Sequence, residues 1–263
     1  MITLKPLLWT KPLKGVSAFQ TTRGQANPRN PYSEYNLCDY TGDDALRVLN
    51  ARIELCSVLG IDMDHLVMPR QVHGNNIAVI DQDFMNADID AQEKRLEGVD
   101  ALITALPGAC IGVNTADCAN IALCDPSAHI IAIAHAGWRG AVSRIVLDVV
   151  NAMERMGAKA DNILASMGAS ICQDCFEVGD EVVDAFARSN HDIHRIMQRN
   201  PATGKAHIHL QQACSLTLQE AGVPLSHIIW DGDCSRCKSN TFFSARRLGI
   251  NSGRTFTGII LNS

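Results

Sequence analysis

The chain has 263 residues, of which 46% are hydrophobic and 19% charged, and its formal net charge is -5. This composition predicts a packed globular protein, large enough for one large or two small domains. It has no Lys/Arg run and no apolar stretch near the roughly 18 residues that span a bilayer, so we expect no nucleic-acid, membrane or obligate protein partner and a cytoplasmic location.

The first predicted elements surround a long polar loop. Residues 20–44 are rich in Gly, Pro and Asn, which is typical of a functional loop. A helix should then begin after Asp43 or Asp44 and end at Gly60, with its buried apolar stripe at Leu46, Leu49, Ile53 and Cys56. Residues 65–81 alternate like a strand, which places His73 mid-strand, and residues 82–97 form a polar, insertion-like stretch.

The second half of the chain predicts alternating strands and helices. Residues 101–125 indicate a strand, a Pro-Gly turn and a strand, and residues 129–156 indicate a strand, a glycine-rich turn and a helix. Further strands are predicted at 163–167, 228–230 and 255–261, and further helices at 181–188 and 210–221. The mixture favours α/β layers in one domain over residues 1–263, without a glycine-rich nucleotide-binding fingerprint.

Two apolar runs between residues 111 and 141 end at Cys118 and His135, which can bind a metal or do chemistry. His135 should lie at a strand end, where a loop opens. With His73 these residues form a set whose separations of 45 and 17 residues match no compact zinc finger but suit a site built from three strand ends. Two imidazoles and a thiolate leave zinc's fourth position open, as in catalytic sites. On spacing alone, three satisfied core or loop residues remain the alternative.

The ten cysteines are scattered through the chain, so reduced thiols or metal ligands are expected rather than a disulfide framework. Two pairs, Cys172/Cys175 and Cys234/Cys237, together form a divided four-cysteine zinc pattern. The 58 residues between the pairs exceed the roughly 15 to 20 of a zinc ribbon. Each pair alone would also suit redox chemistry.

Several short motifs together carry a family resemblance. They are TTRG at 21–24, YNL at 35–37, GDD at 42–44, QVHG at 71–74, TADC at 115–118, AHAGWRG at 134–140, CFEVGDEV at 175–182, CSRC at 234–237 and FFSARR at 242–247. In this order they cover nearly the whole chain, and TADC with AHAGWRG is highly specific. The chain resembles the YfiH family of laccase-domain proteins, formerly called multicopper polyphenol oxidases.

The resemblance implies an α+β fold, a layered α/β/β/α sandwich of mixed sheets similar to the cytotoxic necrotizing factor deamidase domain. It also implies that His73, Cys118 and His135 are Zn²⁺ ligands, with Cu²⁺ as the other candidate metal. The implied reactions are phosphorolysis of purine nucleosides, including methylthioadenosine, and deamination of adenosine to inosine. The implied partners are therefore small molecules, a purine nucleoside and phosphate.

Other functions stay open at this point. An amide hydrolase that edits UDP-muramoyl peptidoglycan precursors would depend either on zinc or on Cys118 as a nucleophile activated by His135. A copper-dependent polyphenol oxidase normally calls for several histidine-rich sites, and one compact ligand set is visible. A zinc-stabilised binding module without catalysis would instead close the fourth ligand position.

Further roles follow from residue chemistry. Asp117, next to Cys118, is the candidate for proton transfer or for orienting a ligand. Candidate phosphate-binding residues are Arg52, Arg139 and Arg246, each of which could equally form a surface or structural ion pair. Asn36 would either position a sugar hydroxyl or hold the long loop. The chain departs from the family pattern at Arg70, Ala119, Asn120 and His209, so the purine preference is not carried over.

Overall fold

A computed structural model describes residues 1–27 and 29–262. The predicted single domain over 1–263 includes Pro28 and Ser263, and the predicted long loop over 20–44 includes Pro28; these two residues lie outside the described ones. No helix in the described ranges is long and apolar enough to cross a membrane.

The strands of the described residues are mostly short, in chain order. They are β1 Leu4–Pro6, β2 Val16–Thr21, β3 Leu66–Val67, β4 Ile77–Ile80, β5 Ala101–Thr104, β6 Cys110–Thr115, β7 Ala119–Asp125, β8 Ile130–Ala136, β9 Leu164–Met167, β10 Glu177–Val178, β11 Met197–Arg199, β12 Ala206–Ile208, β13 Ile228–Trp230 and β14 Thr255–Leu261.

The helices range from one turn to four turns. They are α1 Ala45–Leu59, α2 Gln82–Met85, α3 Ile89–Leu96, α4 Trp138–Val142, α5 Ile145–Arg155, α6 Asp180–Arg188, α7 Ile193–Ile196, α8 Leu210–Glu220 and α9 Ala245–Leu248. Short 3₁₀ turns lie at Met63–His65, Ala160–Asn162, Gln173–Cys175 and Leu225–His227.

A six-stranded sheet, in the order β13-β9-β7-β8-β5-β4, forms the centre of the molecule. Its central strands are apolar on both faces, so alternate residues enter different cores. In β8, Ala132 and Ala134 face the core that α5 and α8 cover, whereas Ile131 and Ile133 face a second core. Burial on both faces explains why β7 and β8 read as continuous apolar runs in the sequence.

A five-stranded sheet, in the order β1-β2-β14-β6-β3, packs on that second core. Ile111 and Ile259, from its β6 and β14, contribute to the core between the two sheets. The opposite face of this sheet packs against α1 through Ala51 and Leu55. The layers are therefore helix, sheet, sheet and helix, which confirms the predicted mixed α+β fold.

A third sheet, in the order β10-β12-β11, is antiparallel and was not predicted. Its strands have two or three residues each, too few for a period to be visible in the sequence. Helix α6 packs beside it.

The predicted ends of α1 are confirmed, but of its predicted buried stripe only Cys56 is buried. Asp44 caps the helix by accepting the N–H of Arg47, and Gly60 ends it in the left-handed conformation at φ 69°. However, Leu46, Leu49 and Ile53 are exposed. The other buried positions are Val48, Ala51 and Leu55, which form a second apolar stripe at helical spacing.

Three other predictions need correction. His73 lies in a loop between β3 and β4, because Gly74 and two asparagines follow it and the chain turns there. The insertion-like stretch 82–97 forms α2 and α3, capped by Asp81 and Asp88. The helix predicted after the glycine-rich turn is broken at Arg144, whose φ is 64°, so that Val142 belongs to α4 and not to α5.

Candidate functional site

One edge of the six-stranded sheet carries the candidate ligands. Because β5 and β7 both run antiparallel to β8, the beginnings of β5 and β7 meet the end of β8 at this edge. Cys118 directly precedes β7, and His135 is the penultimate residue of β8. Strand β4 runs parallel to β5, so the loop before it brings His73 to the same edge.

The side chains of His73, Cys118 and His135 converge at this edge. Each offers a ligand atom, and these atoms all lie within 4.8 Å of one another. The two imidazole rings meet edge to face, with centroids 4.7 Å apart. His135 is buried, Cys118 is partly buried and His73 is exposed. The three residues singled out in the sequence are thus brought together, and the group could hold a metal ion.

Asp100, the residue before β5, holds both histidines of the group in place. Its Oδ1 lies 2.7 Å from His135 Nδ1 and also accepts the backbone N–H of His73 at 3.0 Å. Its Oδ2 accepts the backbone N–H groups of Gly74 and Val72. A carboxylate on Nδ1 leaves Nε2 of His135 as the nitrogen that faces Cys118 and a metal.

The buried charges of the site stabilise one another. Burial alone would raise the pKa of the Cys118 thiol, but the charges and hydrogen bonds of His135 and His73 outweigh it and lower the pKa to about 6. Burial alone would lower the pKa of His135, but the Cys118 charge and the bond to Asp100 raise it to about 9. Without metal, these opposite pKa shifts favour a Cys118 thiolate beside a His135 imidazolium.

The backbone around the ligands has little room to change. His73 and Asp117 have backbone φ values of 63° and 92°, in the region that residues other than glycine rarely adopt. Gly137 lies against the ligands, since a Cβ there would be 2.7 Å from His73 Cδ2 and 3.1 Å from Cys118 Sγ. Gly137, the first glycine of the AHAGWRG motif, therefore leaves free the space that the ligand side chains occupy.

A cavity of about 940 Å³ opens above the three ligands. The three ligands and several aromatic, amide and cationic side chains line it. The lining residues are Tyr40, Thr41, Gly42, Gln71, His73, Asn114, Thr115, Ala116, Asp117, Cys118, His135, Trp138, Ala245, Arg246, Ile250, Asn251 and Arg254. A neighbouring cavity of about 640 Å³ shares Tyr40 and Asn114 with it. The larger volume is ample for a ligand the size of a nucleoside.

Asp117 lines this cavity, and hydrogen bonds hold both of its carboxylate oxygens. Oδ1 accepts the hydroxyl of Ser235 at 2.7 Å, and Oδ2 accepts the backbone N–H of Arg246 at 2.7 Å. Its carbonyl accepts the N–H of Ile171. Asp117 therefore joins the turn that carries Cys118 to the segments of Ile171 and Ser235 and to α9, and its predicted part in proton transfer stays a prediction.

The other predicted contacts are dispersed. Arg246 lines the cavity, where its guanidinium donates to the carbonyl of Glu177. Arg139 is exposed and lies over the ring of Trp138, at 4.3 Å from the ring centroid. Arg52 pairs with Asp39 and lines the neighbouring cavity. The structure thus brings one of the three predicted arginines to the ligands' cavity.

Asn36 is buried and holds the long loop together. Its amide donates to the carbonyl of Cys38 and to Asp43, while its oxygen accepts the N–H groups of Cys38 and Arg254. The described residues that line the larger cavity do not include it. Of the two roles predicted for Asn36, these contacts match the one that holds the loop.

Sequence reasoning missed Asp100, Gln71, Tyr40 and Arg254. The available signal for Asp100 was its position directly before an apolar strand, where a buried carboxylate needs a partner. Gln71 precedes the QVHG histidine by two residues and exchanges two hydrogen bonds with the backbone of Asn114. Tyr40 and Arg254 come from distant segments, and only the fold brings them to the cavity.

Comparison with known proteins identifies the family. The family model for multi-copper polyphenol oxidoreductase laccase matches residues 17–262. The chain belongs to this family. The resemblance to YfiH-type laccase-domain proteins is thereby confirmed, and a crystal structure of the hypothetical protein YfiH from Bacillus licheniformis matches with a TM-score of 0.86 at 26% identity, over 94% of this chain and 93% of that one.

Two relatives within this family carry enzyme names. The chain is 60% identical over 259 residues to adenosine deaminase RL5 from an unknown prokaryotic organism, covering 98% of this chain and 99% of the relative. It is 38% identical over 248 residues to a purine nucleoside phosphorylase of Bacteroides thetaiotaomicron, covering 94% and 92%. Likeness extends over nearly the whole of each chain.

Proposed function

We propose that this protein is a metal-dependent purine nucleoside enzyme. It would split adenosine, inosine and guanosine with phosphate into the base and ribose 1-phosphate, and methylthioadenosine into adenine and methylthioribose 1-phosphate. It would also deaminate adenosine with water to inosine and ammonia. The names of its relatives favour these two reactions. The observation that carries the proposal is the convergence of His73, Cys118 and His135 on the wall of a nucleoside-sized cavity.

The ligand set fits zinc. One thiolate and two imidazoles, with the second nitrogen of His135 held by Asp100, form a three-ligand site of the catalytic type. Among the described residues this is the one candidate metal group with more than one histidine. A multi-copper oxidase requires more such histidines, so we assign Zn²⁺ and keep Cu²⁺ as the less fitting ion.

When bound, the ion supplies Lewis-acid polarisation of an oxygen ligand at its open position. The protein's residues supply the remainder. The rings of Tyr40 and Trp138 line the cavity and would stack on the purine. Arg246 and Arg254, both in the lining, would hold the phosphate or ribose oxygens. Asp117 would receive or return a proton at the purine, since it lines the same cavity.

One observation favours a second candidate function. The low pKa of Cys118 beside His135 is also the arrangement of a cysteine nucleophile and its base. In that case the protein would hydrolyse an amide, such as one in a UDP-muramoyl peptidoglycan precursor, without metal. A committed metal ligand and a free nucleophile make opposite demands on the same sulfur, so an experiment can separate them.

The test is product analysis with adenosine and metal-analysed protein, with and without phosphate. We expect adenine and ribose 1-phosphate only with phosphate, and inosine without it. The variants Cys118→Ala and His135→Ala should lose both reactions together with the metal ion of this site. Matched controls are Cys56→Ala, on the buried face of α1, and His194→Ala, which is exposed on α7; both should retain metal and turnover.

A Cys118→Asp variant separates the two candidate functions. Aspartate can still ligate zinc but cannot act as a sulfur nucleophile. Retained nucleoside turnover in this variant would support the metal enzyme. If zinc-loaded wild type turns over no nucleoside, whereas metal-free protein hydrolyses the amide and Cys118→Asp does not, the cysteine hydrolase replaces the present proposal.

A further inference from the structure

Four cysteines outside the nucleoside site also converge. Strands β9 and β13 are parallel neighbours, so the segments that follow them leave the same edge of the sheet. Cys172 and Cys175 lie at the 3₁₀ turn after β9, and Cys234 and Cys237 lie in the turn after β13. A bridge between Ser170 and Cys234 extends the parallel pairing to the cysteines themselves.

The arrangement of the sulfur atoms matches a single tetrahedral ion. All four Sγ atoms lie within 4.8 Å of one another, and Cys175 Sγ lies 3.5 Å from Cys237 Sγ. Zinc–sulfur bonds of about 2.3 Å in a tetrahedron place the sulfurs about 3.8 Å apart. Two disulfides would require only two close pairs, whereas here all four sulfurs are mutual neighbours.

Hydrogen-bond donors surround these sulfurs as they would surround thiolates. Cys234 Sγ accepts the backbone N–H groups of Cys172 at 3.3 Å and of Cys237 at 3.5 Å. Arg236 places Nη1 3.4 Å from Cys175 Sγ. Four thiolates and a divalent ion carry a net charge of about -2, which backbone N–H groups and a neighbouring guanidinium stabilise.

We propose that Cys172, Cys175, Cys234 and Cys237 bind one Zn²⁺ as a closed tetrathiolate site. Each thiol gives its proton to solvent when its sulfur binds the ion, and no electron is transferred. Because the protein fills all four positions, this ion is structural and takes no substrate. The inference goes beyond the proposed nucleoside chemistry and does not rest on it.

The site would stabilise the position of Asp117. Ser235 lies between two of the zinc ligands, donates its hydroxyl to Asp117 Oδ1 and donates its N–H to the carbonyl of Ser170. On the other cysteine segment, Ile171 donates its N–H to the carbonyl of Asp117. The ion would thus tie together the two segments that hold the turn bearing Cys118.

Metal analysis of the full chain tests this proposal. A variant that lacks the other site, His73→Ala/Cys118→Ala, should purify with one zinc per chain, and its zinc X-ray absorption should report four sulfurs at about 2.3 Å. Adding Cys237→Ser to that variant should abolish the zinc. Cys237 is exposed, so its replacement leaves the core intact, and circular dichroism checks the fold. Adding Cys56→Ala instead should leave the zinc in place.

Three results would overturn the proposal. One is a double variant that holds no zinc after growth and purification with the metal. Another is a zinc bound through nitrogen or oxygen as well as sulfur. The third is a native thiol count that lacks these four thiols in zinc-free protein, which would show two disulfides. None of these measurements uses nucleoside turnover, so a failure of the proposed function leaves them unaffected.

Discussion

Asp100→Asn is the substitution that most directly tests how the metal ligands are held. The exchange keeps the size of the side chain but replaces one acceptor oxygen with an NH₂ donor. Oδ1 now faces His135 Nδ1 and the N–H of His73, and Oδ2 faces the N–H groups of Gly74 and Val72. Whichever oxygen is replaced, two groups that now donate to the carboxylate lose their acceptor.

The magnitude follows from those two lost acceptors. Each buried donor left without a partner costs about 1–3 kcal/mol, so Asp100→Asn should lower the free energy of unfolding by about 2–6 kcal/mol. An amide opposite His135 also favours the wrong tautomer or a weaker hydrogen bond. Loss of such a partner typically weakens metal binding about 10–100-fold, and we expect that range here.

The control for this prediction is Asp125→Asn. Asp125 is equally buried, and its carboxylate accepts the N–H groups of Ser127, Ala128 and Lys159. It lies at the far end of β7 from Cys118, so its substitution should destabilise the fold without weakening the metal.

Urea unfolding in chelator gives the stability of each variant, and zinc competition with a chromophoric chelator gives the affinity. All proteins carry Cys237→Ser, so that zinc at the four-cysteine cluster does not enter the titration. An Asp100→Asn protein that is destabilised yet binds zinc like its parent would refute the role given to Asp100. Equal weakening in Asp125→Asn would attribute the effect to general destabilisation.

Three further predictions concern neighbouring residues. Gly137→Ala should weaken zinc binding about tenfold or more, because the new Cβ enters the space of His73 and Cys118 and such overpacking costs about 1–3 kcal/mol. Zinc competition measures this affinity, and an unchanged affinity would contradict the prediction. In metal-free protein, the rate at which iodoacetamide alkylates Cys118 should rise through pH 6 and level off above it, because the thiolate predominates above its pKa of about 6. A rise of this rate centred near the ordinary thiol pKa of about 8.5 would contradict the prediction. Bound zinc should block the alkylation. Arg246→Ala should raise the KM for phosphate about 10–100-fold while the rate of deamination stays unchanged. The control is Arg247→Ala, at the exposed neighbouring residue, which should change neither quantity. An equal loss of activity in both reactions would count against a phosphate contact of Arg246.

Local signals in the sequence predicted much of the fold. Helix α1 begins after Asp44 and ends at Gly60, as predicted, and β13 and β14 have their predicted bounds. Caps and apolar runs act within a few residues, so they can be read without knowing the partner surface. The same reasoning placed Cys118 and His135 at ends of strands.

Features that depend on the partner surface were not predictable. Helix α1 has two apolar stripes with the same spacing, and only the position of the five-stranded sheet decides that Leu55 is buried and Leu46 exposed. Asp100 became a partner of His135 because β5 lies next to β8. Strand order is a long-range property, and no local pattern around Asp100 reports it.

Strand direction also explains how the two cysteine pairs converge although 58 residues separate them in the sequence. A zinc ribbon needs a short interval because two hairpin turns must meet. Here the parallel pairing of β9 with β13 brings the two segments together, whatever the length of the helices and strands between Cys175 and Cys234. The same edge holds the beginning of β7, so both ligand groups flank Asp117. A change at the four cysteines should therefore reach Cys118 through Asp117, whereas a change at Cys56, on the face of α1 that packs against the five-stranded sheet, should not.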